Sequence, residues 1–110
     1  MTIFDTDFAI SQLNGNHDLL CRLLNKFIDD YRDTYNTVSG LVAAQNYSEA
    51  TMLVHTVKGI TGNLGMKALH EESNILEQAC KSGNVEPAQM TSFSESLNDT
   101  ISAIEQYINE

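Results

Sequence analysis

The stretch His55-Thr-Val-Lys58-Gly59-Ile-Thr-Gly62-Asn-Leu-Gly65 sets a histidine three residues before a lysine, with three glycines following. An imidazole can ligate a metal, move a proton or attack as a nucleophile. As a nucleophile it needs a neutral ring with a free nitrogen lone pair, which an ordinary pKa of about 6.5 supplies near neutral pH. It also needs a partner for the N–H of its other nitrogen, to fix the tautomer. The ammonium of Lys58, one helical turn along, suits an incoming phosphoryl group through charge-assisted contacts.

These residues read as the second half of a helix, wound at about 100° per residue. Ala50, Leu53, Val54, Val57, Ile60, Thr61 and Leu64 share a broad apolar face. His55 points about 160° away from the centre of that face. Within roughly 60° of it lie Ser48, Thr51, Met52, Lys58, Gly59 and Gly62. Each glycine inside a helix costs about 1 kcal/mol relative to alanine. Gly59 and Gly62 therefore call for a compensating reason, and clear space for a bulky group approaching the ring is one. Met52 and Met66 fall near the His55 face, either as edges of the core or as soft contacts for a docking partner.

The rest of the chain supplies helices to hold this face. Asp5 reads as the N-cap of a short helix that carries Phe8, Ala9 and Leu13 inward and stops at Asn14-Gly15. Asn16 caps a second, long helix, whose apolar positions from Leu20 to Val42 recur at three- and four-residue spacing and which finishes near Gln45. Asn46, with Glu49 three residues on, starts the helix that carries His55. Gly65 breaks it, a fourth helix runs from about Met66 to Ser82, and Pro87 opens a fifth that continues to the C-terminus. No segment alternates with period two over a strand's length. The expectation is an all-α fold: an antiparallel up-and-down four-helix bundle with a short extra N-terminal helix, forming one domain over residues 1–110.

Composition narrows the partners. The net charge of −9, from 15 acids against 6 bases, disfavours nucleic acid and anionic lipid. No apolar run approaches the roughly 18–20 residues that span a bilayer. The N-terminal MTIFDTDF lacks the basic start and apolar stretch of a secretory signal, so a cytoplasmic chain is expected. Cys21 and Cys80 have no metal-binding spacing and read as buried, reduced thiols. His17 and His70 read as exposed surface histidines. No Glu-x-x-His pair exists for a carboxylate-bridged metal centre, and no glycine-rich nucleotide loop appears.

The string His55-x-Val57-Lys58-Gly59-x-x-x-x-x-Gly65 resembles the signature of histidine-containing phosphotransfer (HPt) domains. The resemblance extends over nearly the whole chain, through Leu13 to Leu20, Phe27, Asn46-Tyr47, Leu69 and Ile75-Leu76-Glu77. It implies that His55 accepts a phosphoryl group at Nε2 from a receiver-domain aspartyl phosphate and passes it to another receiver. Lys58 would screen the phosphoryl charge, and Lys67 matches a position where the family often carries a second basic residue. Glu77 matches a position, commonly Gln or Glu, whose side chain bonds the histidine's Nδ1–H. Gly59, Gly62 and Met52 would shape access and docking. The implied partners are receiver domains of a hybrid sensor kinase and of a response regulator, and the Mg²⁺ of the reaction belongs to the receiver. No cofactor of its own and a monomeric state are expected. The competing reading is an interaction module that docks on a kinase or receiver without being phosphorylated, for which an intact His55-x-x-Lys58-Gly59 would have no use.

Overall fold

The computed structural model describes residues 2–110, which form six α-helices and no strand. They are α1 (Thr6–Gln12), α2 (His17–Tyr31), α3 (Thr34–Ala43), α4 (Tyr47–Asn63), α5 (Lys67–Ser82) and α6 (Pro87–Ile108). Local chemistry sets most of their starts. Asp5 accepts from the amide of Phe8, Asn16 from that of Leu19 and Asn46 from that of Glu49, each satisfying a donor that the first turn leaves free. Pro87 occupies the first turn of α6, where its missing N–H costs nothing. Gly83 closes α5 in the left-handed conformation.

The expected long second helix is divided. Its apolar spacing continues unbroken, but the chain turns at Arg32-Asp33 and restarts as α3. Thr34 is buried just after the turn, and Arg32 reaches across to Glu105 of α6 at 3.2 Å.

One apolar core runs through all six helices, from Ala9 of α1 to Ile104 of α6. Phe27, Phe93, Leu20, Leu24, Met66, Leu69, Leu76, Leu97 and Ile104 are its largest buried side chains. Met66 lies wholly inside it, which corrects its placement near His55. Phe8 is exposed rather than inward, and Cys21 is only half-buried, while Cys80 is buried.

α4 and α5 run antiparallel along a shared seam. Gly62 meets His70, Lys58 meets Asn74 and His55 meets Glu77, so position numbers fall on α4 as they rise on α5. Gly65 makes the corner between them. Its φ is +71°, and a Cβ there would lie 2.6 Å from the carbonyl oxygen of Asp5. The glycine thus lets the N-terminal segment close on this corner, where Asp5 donates its amide to the Gly65 carbonyl at 2.8 Å.

Candidate functional site

His55 stands in the third turn of α4 with its side chain 66% exposed. Beneath it Glu77, from α5, places Oε2 2.9 Å from Nδ1. An ionised carboxylate only accepts, so Nδ1 carries the hydrogen and donates it. The lone pair is then on Nε2.

Glu77 is 1% exposed, and burial by itself would raise its pKa. Three cationic or potentially cationic groups reverse that. Lys58 Nζ lies 3.0 Å from Oε1, Lys81 Nζ lies 3.4 Å from Oε2, and the imidazole donates to Oε2. Together they hold the carboxyl at about 2, against an ordinary value of 4.5, so it is ionised at neutral pH. Lys58 also donates to Asn74 Oδ1 at 3.3 Å.

The approach to the ring is open. A Cβ built on Gly59 meets nothing within 4 Å. Met52, one turn before the histidine, is 69% exposed and shares a shallow depression with Thr51, Thr56 and Lys81. The structure therefore brings together His55, Lys58, Glu77, Gly59 and Met52.

Two expected members lie elsewhere. Lys67 does not join the cluster; it pairs with Asp5 at 3.2 Å, at the far end of α4. Seven residues separate His55 from Gly62 beside it, about 10 Å of helix. Gly62 does not open space for an incoming partner either. A Cβ there would sit 3.0 Å from the ring of His70, so the notch is already filled from α5. His70 is correspondingly half-buried instead of exposed, with Nδ1 2.8 Å from the Lys58 carbonyl oxygen.

Lys81 and Asn74 are site neighbours that the sequence reading missed. The signal was available: Asn74, Glu77 and Lys81 follow helical three- and four-residue spacing, which puts them on one stripe.

The site is an imidazole in the open, above a buried carboxylate and beside an ammonium, an arrangement with a free Nε2 lone pair facing solvent. The sequence model of the Hpt domain matches residues 22–107, and the chain belongs to that family. Hpt domains take part in histidine phosphotransfer within two-component phosphorelays and act as carriers, not as autonomous enzymes. No curated protein and no solved structure gives a significant match. Among the described residues no helix is long and apolar enough to cross a membrane.

Proposed function

We propose that His55 is the phosphoryl carrier of a phosphorelay, taking the group from an aspartyl phosphate on one receiver domain and delivering it to another. The observation that carries this reading is the exposed ring whose Nδ1–H is bound to buried Glu77. The Nε2 lone pair attacks phosphorus; the N–P bond forms as the P–O bond to the aspartate breaks, and the aspartate carboxylate leaves. The ring keeps its Nδ1 hydrogen and becomes cationic, a charge that the Glu77 carboxylate offsets. Lys58, anchored on the same carboxylate, faces the negative phosphoryl oxygens with an ammonium. Delivery is the reverse displacement on a second aspartate.

The receiver brings the aspartate and Mg²⁺, and the carrier brings no cofactor of its own. The partners are receiver domains of a hybrid sensor kinase and of a response regulator, met by a monomeric cytoplasmic carrier folded as one domain over residues 1–110. The core that links α1 to α6 supports the single domain, and the net charge of −9 speaks against nucleic acid and anionic membranes as partners. Incubation with a phosphorylated receiver and Mg²⁺ tests the reading. Label should move to this chain in an acid-labile, base-stable bond, and His55→Gln should prevent it. Transfer that persists in His55→Gln would defeat the assignment, and no transfer to the unsubstituted chain would favour a docking module.

A further inference from the structure

α5 turns a polar edge toward α4. His70, Asn74, Glu77 and Lys81 follow one another at intervals of four, three and four residues, the spacing of a single helical stripe. Glu77 and Lys81 belong to the cluster around His55. His70 and Asn74 make no hydrogen bond to that ring or its carboxylate, yet both bind one residue of α4. His70 Nδ1 lies 2.8 Å from the carbonyl oxygen of Lys58, and Asn74 Oδ1 lies 3.3 Å from its Nζ. A carbonyl only accepts, so Nδ1 of His70 bears the hydrogen. α5 thereby grips Lys58 at both its backbone and its head.

This grip matters for what the ammonium can do. A lysine on a helix surface moves through many rotamers, and ordering it costs entropy. The head of Lys58 has three hydrogens to donate. Asn74 Oδ1 accepts one and Glu77 Oε1 lies 3.0 Å away as an ion-pair partner, so the ammonium keeps hydrogens for an anion. The side chain is 27% exposed, so an outside group can still reach it.

A second observation concerns the fit of His70. Its ring occupies space that exists only because residue 62 lacks a side chain, since a Cβ there would stand 3.0 Å from both Cε1 and Nδ1. The glycine, unfavourable in a helix, accommodates the ring that holds the Lys58 carbonyl.

We propose that His70 and Asn74 are positioning residues that hold Lys58 ready for the phosphoryl group arriving at His55, an inference that rests on the phosphorelay reading above. His70 fixes the turn of α4 from which Lys58 projects, and Asn74 fixes its ammonium. Neither touches the reacting atoms.

The test measures single-turnover transfer from a phosphorylated receiver domain, titrated to saturation. His70→Ala and Asn74→Ala should each slow the saturated rate about three- to tenfold, with the half-saturating receiver concentration little changed. In a Lys58→Ala background the same substitutions should have no further effect, because they act through Lys58. Equal slowing in both backgrounds would make the two residues merely structural and overturn the proposal. Thermal unfolding of the full chain supplies an arm that needs no partner. Gly62→Ala should lower Tm when His70 is present and raise it in a His70→Ala background, where only the helix propensity gain remains. A rise in both backgrounds would overturn the part given to His70. No transfer to the unsubstituted chain, with this reversal of sign intact, would defeat the phosphorelay reading and leave the grip on Lys58 without a phosphoryl group to serve.

Discussion

His55 and His70 face each other's helices across one seam, and they are held alike up to a point. Each has Nδ1 within hydrogen-bond distance of an oxygen on the opposite helix, at 2.9 Å and 2.8 Å. The acceptors differ. Under His55 it is a carboxylate with a full charge; against His70 it is a backbone carbonyl with only a dipole. A carboxylate stabilises the positive charge that a ring gains when Nε2 is substituted, and a carbonyl does so far less. The surroundings differ too: His55 stands free beside Gly59, whereas His70 is wedged against Gly62. On the proposed function, a shared tautomer is thus not enough to make an imidazole a carrier. Charge beneath the ring and clearance above it separate the two.

That contrast can be broken in graded ways. The largest effect is expected from His55→Gln, which should remove all acid-labile label; label remaining on His70 would erase the distinction. Next comes acid. Because folding lowers the Glu77 pKa from 4.5 to about 2, its contribution is fully present above about pH 4.5 and is lost as pH falls toward 2. The full shift is worth up to about 3 kcal/mol. Urea unfolding at pH 7 and pH 3 should show a stability loss that is markedly smaller in Glu77→Gln; equal losses would mean that the carboxylate is not the group responsible.

Glu77→Ala should slow transfer while the fold is retained. Losing a charge-assisted hydrogen bond costs about 1.5–3 kcal/mol, equivalent to about 10- to 150-fold in rate. An unchanged rate would make His55 and His70 equivalent in this respect. Gly59→Leu should slow transfer by about tenfold while raising stability by up to about 1 kcal/mol, the helix propensity of leucine over glycine. Measurement of rate and Tm on the same sample separates the two effects, and normal transfer would show that clearance is not required. The smallest change is expected from Lys67→Ala, which removes an exposed pair with Asp5 and should leave the transfer rate as it was.

The contrast between His55 and His70 also marks how far the sequence could be read. Helical spacing placed His55 outward and Val54 and Val57 inward, because those directions are set by the helix's own axis. The caps at Asp5, Asn16 and Asn46 were legible for the same reason, being decided within four residues. Whatever depended on the neighbouring helix was harder. Gly62 read as clearance for a visitor because a helical wheel does not say which side chain of α5 occupies the space. Lys67 read as a phosphate contact from its place in a family pattern, whereas Asp5 takes it at the corner made by Gly65. The turn at Arg32-Asp33 left no mark in the apolar spacing, which continues from α2 into α3 across it.

The sharing of Glu77 has an electrical consequence. Lys26, Arg32 and Lys67 each sit against a carboxylate of their own, so their fields largely cancel. Lys58 and Lys81 divide a single one, leaving their small neighbourhood one unit positive on a molecule that totals −9. An anionic group is repelled by the net charge at long range and meets two ammonium groups sharing one carboxylate beside His55. That local attraction reaches no further than about 8 Å at physiological ionic strength. The encounter is thereby steered by sign as well as by shape.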